Sequence, residues 1–410
     1  MPGFQRKPRQ REICRDYMER ALRQLRTEEE VAGPAGDEYF LHERYQRRGA
    51  GGTAAMRLYY ALKPLLPRRL QLAVRRAYVP LQARRRFPAW PVEPILVERR
   101  DAELRRQLLN ARGGRVPLVN FWPDGRRYAV ILTHDVEGPT GVANIERVRE
   151  VERRHGFVSS WNFVAEWYPI PDGLFDALRA EGCEIALHGI RHDDRLFRDR
   201  ASFERELRTI HRYVAAWGAV GFRAPATHRN AAWVSELPVL YDSSFPDTDP
   251  FEPQPGGCCS ILPYRFEEVV ELPITLVQDH TLWEILREPG IDLWLQKSEW
   301  IMRHHGLINL IVHPDYVTDP YRLALYDRFL AFLAAQPGGW RALPRDVAQW
   351  WRQRESLAVV SGPDGLPRLA GTSDYAATIA HAYERDGRIA FDTGGSCVHE
   401  SPLGNGSAQS

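Results

Sequence analysis

Residues 128–138, Tyr128-Ala129-Val130-Ile131-Leu132-Thr133-His134-Asp135-Val136-Glu137-Gly138, decide the fold. Five almost wholly apolar residues give way abruptly to polar ones and a glycine. This pattern predicts a buried strand entering a loop. A strand that is apolar on both faces suits a parallel sheet or barrel. Ligands of such folds gather at the C-terminal strand ends, where Asp135 and Glu137 fall. Two carboxylates at one site can do acid–base work or hold a metal. Asp and Gly equally favour a helix N-cap or a turn, and the stretch alone leaves both readings open.

Downstream of this strand, short apolar runs alternate with helical patterns. Strands are predicted at 128–133, 157–163, 184–188, 219–223, 239–242, 269–274 and 307–312. Helices are predicted at 142–154, 172–181, 201–217, 291–305, 320–335 and 344–354. Such alternation implies parallel strands with right-handed crossovers. The expected fold is α/β: a distorted, incompletely closed (β/α) barrel of about seven parallel strands over residues 116–355. A basic, mainly helical extension (1–115, with helices in 1–32 and 98–111) precedes it. A small α+β appendage (356–400) follows, with a hairpin around Pro363-Asp364-Gly365, a helix at 374–386 and a strand at 388–392. Residues 401–410 are small and polar, and are expected to be disordered. No internal repeat is present.

The 410 residues carry a net charge of +2, which hides an asymmetry. Residues 1–115 hold 26 Lys or Arg against 13 Asp or Glu, a net +13, so the remainder is near −11. The most basic block, 57–87, alternates leucines with arginines and is broken by Pro64, Pro67 and Pro80. A basic amphipathic helix can lie in a membrane interface, or pack on its own domain or a partner. Peripheral membrane contact through 57–87 is therefore one expectation, and nucleic acid is not an expected partner. No run approaches about 18 uninterrupted apolar residues, so no membrane-spanning helix is expected. The first thirty residues lack the apolar core of a secretory signal. The cysteine count, five, is odd and the spacing irregular, which fits a reducing compartment. A cytoplasmic location is the expectation, with the inner membrane face as the alternative.

Three further stretches carry chemistry. In Glu184–Asp194 an apolar strand runs into His188-Gly189-Ile190-Arg191-His192, and a turn at Gly189 would let both imidazoles meet one metal. Two His and one carboxylate suit zinc and leave positions open for water and substrate. In Gly221–Ala226, Arg223 stands just past a strand, where it can orient a carboxylate and keep it ionised. In Leu307–Pro314, an apolar strand ends in His313, a candidate general acid or base.

Taken together, these stretches resemble the polysaccharide deacetylase family of carbohydrate esterases, in order and spacing, over residues 125–352. In that family a T-x-D-D motif provides a base and a metal ligand, H-[ST]-x-x-H two metal-binding His, R-x-P-Y an Arg that braces the base, and L-x-H the catalytic acid. The resemblance carries Thr133 and Asp135 onto the first motif, His188 and His192 onto the second, Arg223 and Pro225 onto the third, and His313 onto the fourth. Tyr241-Asp242-Ser243-Ser244 and Glu271-Leu272-Pro273 also look like family segments. It implies Asp135 as base, His313 as acid, Arg223 as brace, and a divalent metal, zinc first, on Glu137, His188 and His192. It also implies an acetamido-sugar substrate, with the backbone N–H at Ala226 on the oxyanion; His134, His228 and His280 lie on expected site loops as substrate-contacting or structural residues, and Asp242 is a further expected substrate contact.

The sequence departs from the family at three places. Val136 stands where a metal-binding Asp is expected; Glu137 lies on the same side of an extended chain as Asp135 and can replace it. The roles of Asp135 and Glu137 can also be exchanged. Gly189 replaces the Ser or Thr between the histidines, and Ala226 the Tyr of the third motif. An amidohydrolase acting on a non-sugar amide or cyclic ureide is the nearest alternative, and a catalytically silent protein that keeps the metal pocket is another.

Overall fold

The computed structural model describes Met18 and residues 35–46, 67–193 and 195–394. The helices expected in 1–32 and the tail from Ser401 lie outside the described residues. Among the described residues, fourteen strands follow in chain order: β1 (Val116–Val119), β2 (Tyr128–Val136), β3 (Ser160–Phe163), β4 (Glu184–Leu187), β5 (Gly221–Phe222), β6 (Tyr241–Asp242), β7 (Tyr264–Phe266), β8 (Val269–Glu271), β9 (Leu307–Ile311), β10 (Gly339–Arg341), β11 (Ala358–Ser361), β12 (Pro367–Ala370), β13 (Ile379–Arg385) and β14 (Arg388–Asp392).

All nine residues of β2 are buried. It is long enough to pair in parallel with three strands: β9 along Ala129–Thr133, β10 along Tyr128–Val130 and β3 along Thr133–Val136. From β3 the sheet continues through β4, β5, β6 and β8, each parallel to the last, and β7 adds an antiparallel edge. The chain beyond β8 closes the circle onto β9: Leu276 N–H donates to Asn309 O at 3.1 Å and Thr275 Oγ1 to Leu307 O at 2.7 Å. The seven predicted strands are thus β2, β3, β4, β5, β6, β8 and β9, in an irregular barrel with a thin seam.

Period-2 alternation divides β2 between two environments. Tyr128, Val130, Leu132 and Val136 join a core with Ile145, Val148 and Val151 of the helix Pro139–Arg154 and Phe329 and Leu330 of Pro320–Ala335. Ala129 and Ile131 join a second core with Tyr241, Val270, Leu307 and Trp350. The connecting helices end where local chemistry dictates. Asp199 caps Arg200–Trp217 by accepting Ser202 N–H at 2.8 Å, and Gly218, at φ 56°, closes it. Asp319 caps Pro320–Ala335, with Pro320 in the first turn.

The extension ahead of the barrel is fastened to it. Val92 and Val97 share the main core, and Glu43 makes a buried ion pair with Arg229 at 2.6 Å. The helix predicted at 98–111 runs Ile95–Leu108. In the appendage, β11 and β12 form the expected hairpin, and β14 coincides with the strand expected at 388–392. The helix expected at 374–386 is corrected: Ile379–Arg385 is strand β13, paired with β1 and β14. Its side chains alternate between half-buried and buried from Ile379 to Tyr383, a period of two that the helical reading overlooked.

Candidate active site

The site sits where β2, β4, β5 and β9 end. Thr133 and Asp135 point the same way from β2, and Arg223, just past β5, reaches both. Its Nη1 donates to Thr133 Oγ1 at 2.7 Å and to Asp135 Oδ1 at 3.1 Å. Its Nε and Nη2 are held by Ser243, through the carbonyl at 2.7 Å and Oγ at 2.8 Å. Asn162 of β3 adds a second donor to Asp135 Oδ1 at 2.7 Å. Burial opposes a charge on Asp135, but Arg223, His188 and His313 outweigh it and hold the carboxyl at about 2. The second oxygen, Oδ2, lies 3.9 Å from Nε2 of both His188 and His313.

Glu137 shares that face across Val136, which is fully buried. Its Oε1 is 2.9 Å from His192 Nε2 and 3.5 Å from His313 Nε2. Its Oε2 accepts from Tyr316 at 3.0 Å, and its backbone N–H donates to Asp315 Oδ2 at 2.9 Å. Burial again opposes the charge, while His192 and His313 hold the carboxyl well below its ordinary range.

His188 is oriented from behind. Its Nδ1 lies 3.1 Å from Arg223 O, so the N–H on that side donates to the carbonyl and Nε2 is left to accept. Burial pushes its pKa down to about 4, which keeps the ring neutral. His188 Nε2 is buried with no hydrogen-bond partner among the described residues. His192 Nε2 is also buried, with Glu137 Oε1, 2.9 Å away, as its close polar neighbour among the described residues besides His188. Ligand atoms of Glu137, His188 and His192 all lie within 4.8 Å of one another. Two orphaned imidazole nitrogens and a carboxylate oxygen facing one point are a donor set that fits a zinc-like cation.

The chain is similar to solved polysaccharide deacetylases. A structure described as a polysaccharide deacetylase from Mycobacterium smegmatis is 22% identical, covers 57% of this chain and 93% of its own, and has a TM-score of 0.46. One so described from Pseudomonas aeruginosa PAO1 is 19% identical, with 57% and 93% covered and a TM-score of 0.43. An allantoinase is 18% identical, with 57% and 92% covered and a TM-score of 0.44. No family model matches the sequence, and no curated protein does.

His313 faces Asp135 and Glu137 from the end of β9, and its far side belongs to a residue the sequence reading missed. Its Nδ1 lies 2.6 Å from Asp279 Oδ1, and its backbone N–H donates to Asp279 Oδ2 at 2.9 Å. Burial disfavours an imidazolium here, but Asp279, Glu137 and Asp135 outweigh it and raise His313 to about 10. Asn162, Asp315 and Tyr316 were also missed. The Tyr316 ring lies 5.2 Å from His313 and 5.0 Å from His280, which places His280 on the rim.

Two expected substrate contacts are corrected. His134 points away from Asp135 by the same alternation that brings Glu137 in. Its ring stacks on Trp161 at 4.3 Å, and its nitrogens lie 2.7 Å from Val312 O and Glu152 Oε1. Asp242 is fully buried beneath the site, accepting from Ser244 Oγ at 2.6 Å. Burial raises its carboxyl to about 6. Ala226 follows the Arg223 strand end at φ 52°, a strained backbone for a residue with a side chain, and His228 lies on the next turn.

Gly189 has a structural reason to be glycine. Its φ is +72°, and a Cβ there would lie 2.9 Å from both Cγ and Cδ of Pro225. The motif carrying the histidines is thereby pressed against the motif carrying Arg223.

Proposed function

We propose that the chain is a metal-dependent hydrolase that removes the acetyl group from an N-acetylated sugar or a sugar-containing precursor. The observation that carries the reading is the convergence of Glu137, His188 and His192 beside an ionised, Arg-braced Asp135 and a charged His313. Glu137, His188 and His192 would hold one divalent cation, zinc first. Such a cation supplies Lewis acidity at the acetamide carbonyl and lowers the pKa of water.

Asp135 is the base. Its Oδ1 is tied to Arg223 and Asn162, which leaves Oδ2 aimed between His188 and His313 to take the proton of the attacking water. The Arg223 guanidinium touches only the base, Thr133 and Ser243, and its carbonyl orients His188, so Arg223 is a positioning residue. His313, with Nε2–H directed into the site and Nδ1 held by Asp279, protonates the departing amine. The backbone N–H at Ala226 donates to the oxyanion, a role that does not depend on its side chain. Ala226 and His228 line the substrate side, and Tyr316 supplies an aromatic surface beside Glu137.

Hydrolysis of a non-sugar amide or cyclic ureide is the second reading. It is favoured by Ala226, which removes the aromatic side chain the deacetylase motif carries there. Acetate release from acetamido sugars separates the two. Metal content and turnover of two variants test the site itself. Glu137→Gln is expected to lose the metal. Asp135→Asn is expected to keep it while turnover falls by about a hundred- to ten-thousandfold, as for a lost general base. Unchanged metal and unchanged amide hydrolysis in both would sink the proposal.

A further inference from the structure

The inward face of the helix Arg68–Gln82 carries Leu72 and Val79 together with Arg75, Arg76 and Gln82, whose polar groups anchor it. Arg75 Nη2 donates to Phe251 O at 3.0 Å, Arg76 Nε to Glu284 O at 2.7 Å, and Gln82 Nε2 to Pro250 O at 2.8 Å. Arg76 also pairs with the Glu284 carboxylate at 3.3 Å. The opposite face carries Leu70, Val74, Tyr78 and Leu81 at intervals of three and four, on one stripe of the helix. These four are 47%, 42%, 40% and 54% exposed. A helix that merely covers a soluble domain turns its apolar stripe to the core. Here, besides Leu72 and Val79 on the inner side, a second apolar stripe faces outward, and a contiguous exposed apolar face marks an interaction surface.

The charge around the stripe selects the partner. Arg69 stands exposed at one end, and Arg84, Arg85 and Arg86 at the other. From Pro67 to Val92 the sequence holds no Asp or Glu at all. Long arginine stems let apolar neighbours sink while the guanidinium stays with headgroups. A tyrosine on the stripe suits the boundary between acyl chains and water. The loops that hold the helix, through Pro250–Phe251 and Glu284, leave the C-terminal ends of β6 and β8, the end of the barrel at which Asp135 and His313 lie.

We propose that the outer face of Arg68–Gln82 seats the chain on an anionic lipid surface. The inference stands apart from the hydrolase reading. The full-length protein is sedimented with vesicles of phosphatidylcholine alone and of an equal mixture of phosphatidylcholine and phosphatidylglycerol. It is expected to bind the mixed vesicles, and to release as salt screens the headgroups. Leu70→Glu, Val74→Glu and Leu81→Glu combined lie on an exposed face, so they leave the fold intact and are expected to weaken binding by more than about tenfold. Each of Arg84→Gln, Arg85→Gln and Arg86→Gln is expected to weaken it by roughly fivefold. Hydrolysis of a soluble acetamido sugar by these variants should match the parent, so failure of vesicle binding and failure of the hydrolase proposal are read separately. Equal binding to both vesicle types, or none to either, overturns the inference. So does a parent dimer that the triple Glu variant converts to monomer without any vesicle binding, because the face would then be covered by a second copy.

Discussion

Gly189→Ala places one methyl group between the two halves of the site. Glycine holds φ +72° there, and the added carbon would sit 2.9 Å from two atoms of the Pro225 ring. A left-handed backbone costs a residue with a side chain roughly 1–2 kcal/mol. Forcing a methyl into packed surroundings adds about 1–3 kcal/mol. The sum, about 2–5 kcal/mol, corresponds to a fall in Tm of roughly 2–6 °C for a chain of this size. Because His188 immediately precedes Gly189, relief of the clash moves a proposed ligand, and zinc affinity measured against a competing chelator should fall by about ten- to a hundredfold. Pro225→Ala in the same chain removes the ring and should return the packing share but not the backbone share. The coupling between the two substitutions is then about 1–3 kcal/mol. Gly189→Ser, which restores the residue type of the deacetylase motif, should fail in the same way as Ala. A Gly189→Ala protein that melts and binds zinc like the parent would refute the reasoning.

Two other perturbations read the buried charges. Asp279→Asn removes the carboxylate foremost in raising His313, so the imidazole titration in metal-free protein, followed by NMR, should move down by roughly one to three pH units; an unmoved titration would detach Asp279 from that role. Glu184 accepts from Tyr241 at 2.6 Å and from Arg345 N–H at 3.1 Å, and burial raises its carboxyl from 4.5 to about 7. The unfolded chain therefore ionises first, and stability falls as pH rises from 4.5 through 7, by about 3 kcal/mol in all. Glu184→Gln should flatten that part of the Tm–pH curve, and a curve parallel to the parent's would contradict the assignment.

What could be read from the sequence was local. β2 and β9 announce themselves as apolar runs closed by polar residues, and alternation across Val136 places Asp135 and Glu137 together. The same alternation excludes His134, which the sequence reading places on a site loop as a substrate contact. Asp279 carried no comparable signal: it follows no long strand, and its partner His313 comes from another part of the chain. Asn162 and Tyr316 belong to the site only through the geometry of β3 and of the turn after β9. The strand at 379–385 was legible in part: its period-two alternation and its neighbouring partner β14 are local, and only the pairing with β1 is encoded on the far side of the barrel. The turn at Gly189 was legible, but nothing local tells that Pro225 occupies the space a side chain there would need.

That pairing of β1 with β13 has a consequence for assembly. Val116–Val119 lies antiparallel to Ile379–Arg385, and Asn120 N–H donates to Thr378 O at 2.9 Å. The barrel is therefore an insertion between two strands of a small sheet, with its entrance and exit one hydrogen bond apart. On the ribosome, β1 emerges before every barrel strand and waits for a partner made after all of them. Chains released early keep an unpaired β1 edge, the kind of edge that recruits foreign strands. The clasp can close only once β13 has been made, and so only after every barrel strand has been synthesised.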